Sequence, residues 1–383
     1  MSKHERKVYY YQIIERYQKS SKKEKSIILQ EFCNVCEYNK KYAIRILNKS
    51  FKPKTTINRA GSKPKYYSED FISTLKIFWS SSDYMCSKRL KAAIPLWIPF
   101  YDSTYGKLDQ NVKELLLSIS SATIDRILKK ARLNLKKGLS GTKPGTLLKN
   151  QIPIRTHNWD ITKPGFMEAD TVAHCGNSLS GNFIWSLTMT DILTGWTENR
   201  AIWNKGASDV LLQIKDIENA IPFDLKGFDC DNGSEFLNNH LLRYFTENGK
   251  KTKFTRSRPY KKNDNAHVEQ KNWTQVRQLF GYDRFDNRLL VKQMNDLYSN
   301  EWALYNNYFR PSQKLIKKTK INSKYIRKYD IPKTPYLRII ESKDITKEKK
   351  ESLKKTYKKL NPFKIKETIE SKLKEIFKHV SVT

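Results

Sequence analysis

The 383-residue sequence predicts a multidomain protein: an α-helical, helix-turn-helix-like N-terminal region, a central α/β core with a mixed sheet, and a small basic C-terminal region. Three observations point there. The hydrophobic period is helical up to about residue 137 and alternates like a strand beyond residue 165. The elements after that point run β-β-β-α-β-α-β-α, an order that builds a mixed sheet with helices against it. The charge follows the same division. Residues 1–150 hold 31 Lys+Arg and 12 Asp+Glu, residues 310–383 hold 23 and 8, and residues 151–309 hold 19 of each, so the net +34 sits in the flanks. Basic flanks around a neutral centre fit a polyanionic partner, because neutralised phosphates release condensed counterions.

Residues 1–60 read as a helical, helix-turn-helix-like domain. "SKKEKSIILQEF" opens with a capping box, Ser21 and Glu24, and carries Ile28 and Phe32 on one face. After a turn at "NVCEYN", "KKYAIRILN" sets Tyr42, Ala43, Ile46 and Leu47 at helical spacing. Two helices joined this way have the size to read a major groove, and equally that of a packed pair. Cys33 and Cys36 are the only metal-like spacing among five scattered cysteines. Zinc takes about four ligands and no second pair follows, so both read as small residues at a helix end.

Residues 61–137 read as a second helical DNA-binding region. Ser68 caps a helix through "EDFISTLKIFW". "SSATIDRILKKARLNLKKG" sets Ile124, Ile127, Leu128 and Ala131 on one face and Thr123, Arg126, Lys129 and Lys130 on the other. That pattern suits a recognition helix and any solvated basic helix, and makes Arg126, Lys129 and Lys130 candidate DNA contacts. Residues 138–165, with "GTKPGT" and "TKPGF", read as a linker.

Residues 166–309 form the expected core. "GFMEADTVAH", "NFIWSLTMT" and "TGWTENRAIW" make three strands suited to an antiparallel meander, with Trp185, Leu187 and Met189 sharing a face. A helix follows with Ala207, Val210, Leu211, Ile214 and Ile217 inward, then the strand "LKGFDCD". The next helix is expected from Ser234, with Phe236, Leu237, Leu241, Leu242 and Phe245 inward. The strand "KTKFTRSR" leads to a long helix from about Asp264 to Phe280. Residues 310–383 turn basic again, mixing Lys and Arg with tyrosines as a nucleic-acid surface does. They end in an amphipathic helix with Ile365, Ile369, Leu373 and Phe377 aligned. The longest apolar run, Ala92 to Phe100, is far below the roughly 20 residues of a membrane helix. With no apolar leader behind the charged N-terminus, the expectation is a cytoplasmic protein without a membrane partner.

Three carboxylates carry the chemistry. Asp170 ends "FMEAD" on the first strand, Asp231 ends "FDCD" on the fourth, and Glu269 lies on the long helix, whose sheet-facing side carries Val268, Asn272, Val276 and Leu279. Strands joined through a crossover helix often lie side by side, so the three acids can meet at one sheet edge. Asp229 shares a strand face with Asp231 and is a rival by spacing. Converging carboxylates suit hard divalent cations such as Mg²⁺, and three can hold two ions about 4 Å apart that act on a phosphodiester. An acidic cluster in a basic protein then makes sense, because bound metal inverts the local charge. "KFTRSRPYKKND" places Arg256, Arg258, Lys261 and Lys262 just before Glu269, as a phosphate-gripping segment or a solvated loop. His174 and His267 flank the acids without zinc-like spacing, and no Gly-rich loop suggests a small-molecule cofactor.

"MEADTVAH", "DCDNGSEF" and "KNDNAHVEQKN", in this order, resemble the catalytic core of DDE transposases and retroviral-type integrases, especially those of bacterial insertion sequences. "DNGSEF" matches that family's "SDNGxEF". The resemblance covers about residues 150–310, and "ATIDRIL" and "YFRPSQKL" extend it less specifically. It implies a ribonuclease H-like fold and Asp170, Asp231 and Glu269 as catalytic and metal-binding acids, favouring Asp231 over Asp229. It also implies two Mg²⁺ or Mn²⁺ ions, cleavage at transposon ends, and transfer of the 3′-hydroxyl into target DNA without a covalent protein–DNA intermediate. Double-stranded DNA, as terminal inverted repeats and as target, and a homo-oligomer assembled on it in the bacterial cytoplasm, are the implied partners. Two departures stand out: 37 residues separate Asp231 from Glu269, slightly more than is common, and Gln270 follows Glu269 where the family often has Arg. A transposase-derived regulator that no longer cuts, and a ribonuclease H-like structure-selective nuclease, are the alternatives.

Overall fold

The computed structural model describes residues 1–48, 66, 68–133, 161–230, 235–236, 238–246, 252–256, 266–321 and 324–380. The chain divides into two compact units, residues 1–65 and 66–383. Among the described residues no helix is long and apolar enough to cross a membrane.

In the first unit, helices α1 (Lys3–Lys19) and α2 (Lys22–Cys36) each start with a capping box, Ser2 with Glu5 and Ser21 with Glu24. Each box satisfies two N–H groups that a helix start leaves unpaired. A turn through Glu37, which takes the left-handed conformation, leads to α3 (Lys40–Leu47), capped by the Asn39 side chain. Ile13, Tyr17, Ile28, Leu29, Phe32, Cys36, Ala43 and Leu47 make the core, with Cys33 packed at its margin. Tyr42 departs from the expected inward face. So short a helix buries little more than one i, i+4 pair, Ala43 and Leu47, and Tyr42 packs edge-on against Tyr38 instead.

The second unit is built on a five-stranded mixed sheet in the order β3-β2-β1-β4-β5. The strands are β1 (Phe166–Ala173), β2 (Ile184–Asp191), β3 (Thr197–Trp203), β4 (Gly227–Cys230) and β5 (Lys253–Arg256). Short connections make β1 to β3 the expected antiparallel meander. α8 (Ala207–Ala220) carries the chain over to β4, which runs parallel to β1, and α9 (Asn239–Thr246) precedes β5, parallel to β4. Helical crossovers are what parallel neighbours require. Val210, Ile214 and Ile217 of α8 are buried, and Asp216 of that helix pairs with Arg200 of β3, so α8 covers the face bearing Leu187, the register partner of Arg200. The helix expected from Ser234 begins later: the Asn238 side chain accepts the Leu241 N–H and caps α9. That start turns Leu242 out to solvent while Leu241 and Phe245 stay buried.

The opposite face carries Glu168 and Asp170 of β1, with Thr190 and Thr188 opposite them on β2. α10 (Ala266–Lys271) covers it, continuing through π-helical turns at Asn272–Arg277 into α11 (Gln278–Phe280). Val268 and Val276 are fully buried, and Asn272 and Leu279 nearly so, as the spacing predicts. α12 (Leu290–Leu297) and π-helical turns at Tyr298–Trp302 and Tyr305–Phe309 extend this layer along β3.

The helices α4 (Glu69–Ser81), α5 (Ser87–Tyr105), α6 (Gln110–Ser118) and α7 (Ser121–Leu133) share one core with the sheet and with the C-terminal helices α13 (Pro335–Glu341), α14 (Lys347–Lys359) and α15 (Pro362–Phe377). Trp97 of α5 is the centre of that core. Its ring packs edge-on against Tyr305, Phe309 and Phe363, and its indole N–H donates to the Phe309 carbonyl at 3.0 Å. In α15 Ile369 is buried, and Phe377, though 37% exposed, packs its ring against the buried Phe280 and Phe285. Before α13 the chain forms an antiparallel hairpin, β6 (Leu315–Ile321) and β7 (Lys324–Tyr329).

Candidate active site

Strand periodicity places Glu168 and Asp170 on one face of β1, two residues apart. Parallel pairing of Glu168 with Asp229 puts that third carboxylate on the same face. Cys230 pairs with Ala169, the residue before Asp170. Asp231 is next in sequence and, with residues 232–234, lies outside the described residues.

The covering helix is tied to this face at two points. The Asn272 amide donates to Asp170 Oδ2 at 2.7 Å, while Oδ1 accepts the Thr171 N–H at 2.8 Å. One turn earlier, Glu168 Oε2 accepts the N–H groups of His267 and Val268, each at 3.0 Å. Glu269 sits between these anchors, three residues before Asn272 and so on the same side of the helix. The Thr255 hydroxyl of β5 donates to Asp229 Oδ1 at 2.6 Å.

Glu168 shows how acidic this face is. It is 3% exposed, and burial, with the nearby charges of Asp229 and Glu269, pushes its carboxyl up to about 8 against the pull of the two backbone N–H groups. Near neutrality Glu168 therefore keeps its proton. Glu168 is not among the acids that the motifs single out. Its signal in the sequence is the step of two from Asp170 in "FMEAD", which aligns the side chains on a strand.

His174 stands apart from the acids. It is fully buried against Phe280 and Phe285, and its Nε2 lies 2.8 Å from the Ser186 hydroxyl, which in turn meets Tyr298. Burial holds its imidazole down at about 3, so it is a neutral core residue. On α7, Ile124 and Leu128 are buried and Arg126, Lys129 and Lys130 face solvent. Thr123, expected beside them, turns inward because it joins Ser120 in the start of the helix, its N–H and hydroxyl both meeting the Ser120 hydroxyl. Arg256 ends β5, but its side chain, like Arg258, Lys261 and Lys262, lies outside the described residues.

Among the described residues no three His, Cys, Asp or Glu side chains are grouped so as to hold a metal ion. The donor chemistry nevertheless fits a hard divalent cation. Asp170, Asp229 and Glu269 offer carboxylate oxygens, the donor type such a cation takes.

No family model matches the chain. It is 36% identical over 331 residues to the uncharacterized protein y4rM of Sinorhizobium fredii, an alignment spanning 85% of this chain and 92% of that protein. Among solved structures it is similar to the HTLV-2 integrase catalytic core domain in complex with magnesium. The dimeric form is 14% identical with a TM-score of 0.28, covering 39% of this chain and 90% of that one. The trimeric form gives the same identity and score over 38% and 86%.

Proposed function

The chain belongs to the family of the Sinorhizobium fredii protein y4rM, and we propose that its core is a ribonuclease H-like strand transferase, cutting DNA at the ends of a mobile element and joining the freed 3′-hydroxyl to target DNA. The observation that carries this reading is the hydrogen bond from Asn272 to Asp170. It seats the helix bearing Glu269 on the strand face bearing Asp170. The sequence puts Asp231 directly after Cys230, whose strand partner adjoins Asp170. These are the three acids at which the motifs resemble transposase and integrase cores.

In this reading Asp170, Asp231 and Glu269 hold Mg²⁺ or Mn²⁺, as two ions. Such ions, when bound, supply Lewis-acid activation of the attacking oxygen and stabilise the leaving oxygen of a phosphodiester. The protein's own residues align the acids. Asn272 and the Thr171 N–H each donate to one oxygen of Asp170, which holds that carboxylate in one orientation. Glu168 grips the first turn of α10 through two N–H groups and so fixes the position from which Glu269 projects.

Double-stranded DNA would be held by the helices of residues 1–65, acting as a helix-turn-helix-like reader of inverted repeats, and by Arg126, Lys129 and Lys130 on α7. Arg256, Arg258, Lys261 and Lys262 are assigned to the strand being cut, because they precede Glu269 in the chain. Joining two element ends requires more than one active site, so the working form in this proposal is a homo-oligomer on DNA in the bacterial cytoplasm.

A strand-transfer assay with Mg²⁺, on labelled DNA carrying the element's own ends, tests this with wild type, Asp170→Asn and Asp231→Asn. Joined products from wild type alone, with DNA binding kept in both variants, are expected. Binding by all three proteins with no cutting in Mg²⁺ or Mn²⁺ would identify a DNA-binding regulator instead. Cutting without joining would identify a structure-selective nuclease.

A further inference from the structure

We propose that the cavity between α5, α10 and the segment entering β6 is a phosphate pocket that takes one backbone phosphodiester of the DNA strand lying across the carboxylate face. The proposal rests on the DNA-cleaving reading above and adds a subsite to it. The cavity has a volume of about 220 Å³, and Arg89, Lys271 and Lys314 reach it from three separate parts of the chain. This is below the roughly 300–1,000 Å³ of pockets for drug-sized ligands, so its occupant is a chemical group and not a whole nucleoside.

The charge in the cavity is only partly offset from within, by Asp191 acting on Lys314. Arg89 Nε donates to the Pro311 carbonyl at 2.6 Å, Lys271 Nζ to the Gly195 carbonyl at 3.3 Å, and Lys314 Nζ to the carbonyls of Ile192, at 2.7 Å, and Leu193. Among the described residues none of these three cations forms a salt bridge. The acid in the wall, Asp191, is fully buried and spends its carboxylate on the Gly165 N–H and on the N–H and hydroxyl of Thr194. Two further cations stand close by, each with its own acid: Arg338 with Asp330 at 2.7 Å and Arg310 with Asp83 at 3.6 Å. Three ammonium and guanidinium groups around one small space repel each other, and carbonyl dipoles offset only part of that. An anion with several acceptor oxygens relieves it, and a phosphodiester offers two charged oxygens to such donors.

Position selects the strand backbone over a free anion. Lys271 follows Glu269 by two residues, and Thr190 in the wall is the strand partner of Glu168. The cavity therefore adjoins the carboxylate face. On its other side Tyr329 belongs to the β6–β7 hairpin, where Lys317 and Lys328 are exposed on one face of the ribbon and Lys320 and Arg327 on the other, so positive charge continues beyond the pocket.

The test is fluorescence anisotropy with a labelled DNA duplex over a range of KCl, on the full chain. Arg89→Gln and Lys271→Gln are expected to flatten the slope of log Kobs against log salt by about 0.9 for each phosphate that is no longer neutralised. Arg89→Lys and Lys271→Arg, which keep the charge, are expected to hold the wild-type slope, and thermal melts check that all four fold. A neutral methylphosphonate placed singly along the strand should weaken wild type at one position and leave the Gln variants insensitive there. If the Gln variants keep the full slope and the same methylphosphonate profile while wild type binds and cuts DNA, the pocket assignment is wrong and the strand-transferase reading stands. If wild type does not bind DNA, both fall. If inorganic phosphate raises the melting temperature of wild type but not of the Gln variants, and the DNA slopes are equal, the occupant is free phosphate and the backbone assignment is overturned.

Discussion

Asn272 is where stability and activity should part company. Its amide donates to Asp170 Oδ2 at 2.7 Å, a hydrogen bond to a charged group, worth about 1.5–3 kcal/mol in general. The same side chain is 9% exposed and its Oδ1 is buried without a hydrogen-bond partner, which is itself a cost of about 1–3 kcal/mol. Asn272→Leu removes both the bond and the unpaired oxygen while keeping the branched side-chain shape in a somewhat larger volume, so the two changes oppose each other. Global stability is expected to fall by less than about 2 kcal/mol in urea unfolding. Activity has no such offset. Asp170 loses the donor that orients it and the helix bearing Glu269 loses its tie to β1, and outer contacts of this kind are typically worth about 10–100-fold in metal affinity or rate. The assay is Mg²⁺-dependent cleavage of labelled DNA, with Mg²⁺ titrated. Asn272→Asp, which sets a second carboxylate against Asp170, should lose more. A Leu variant as active as wild type at every Mg²⁺ concentration would refute the role given to this bond, as would a loss of activity no larger than the fraction of protein unfolded.

Trp97→Ala deletes a fully buried ring that touches three rings in two other segments, and denaturant unfolding should show a loss of about 3–5 kcal/mol; less than about 1 kcal/mol would mean the flanking helices are not held through it. His174 is depressed to about 3 from 6.5, so below pH 6.5 the unfolded chain takes up a proton that the folded chain refuses. Its contribution is thus complete above pH 6.5 and is lost as pH falls toward 3, at a limiting slope of about 1.4 kcal/mol per pH unit. The difference in urea midpoint between wild type and His174→Gln, followed from pH 7 downward, measures it, and a flat difference would contradict a buried neutral imidazole. Replacing Arg126, Lys129 and Lys130 together with Gln should flatten the salt dependence of DNA binding by about 0.9 for each phosphate these side chains neutralise, without lowering the melting temperature. An unchanged slope would make this a solvated helix face and no more.

What the sequence revealed was the inward face of the strongly periodic elements, because that face is a local property. Trp185, Leu187 and Met189 alternate with Ser186, Thr188 and Thr190 since one face of β2 meets apolar α8 and the other the polar face under α10, and Ser21 and Glu24 signal a helix start because both partners lie within one turn. What stayed hidden was which inward face meets which. Trp97, Phe309 and Phe363 form one cluster from segments more than fifty residues apart, and no period in any of the three names the others. The charge division adds to the concealment, since the basic side chains of α5, α14 and α15 lie mostly outward and their inner faces join the neutral core. The site is an intermediate case. Asn272 occupies an inward position between Val268 and Val276, and a polar side chain there must find a partner or bear the cost of its burial. That requirement is legible without a structure. Asp170, 102 residues earlier, meets it. Glu168 obeys the same rule from the strand side: a carboxyl on the covered face of β1 needs donors, and the only N–H groups a helix leaves unpaired are those of its first turn, which is where His267 and Val268 lie. Polar residues at inward positions are therefore the places where the sequence of one element constrains the placement of another, and on this covered face Asn272 and Glu168 both do so, at the same acids.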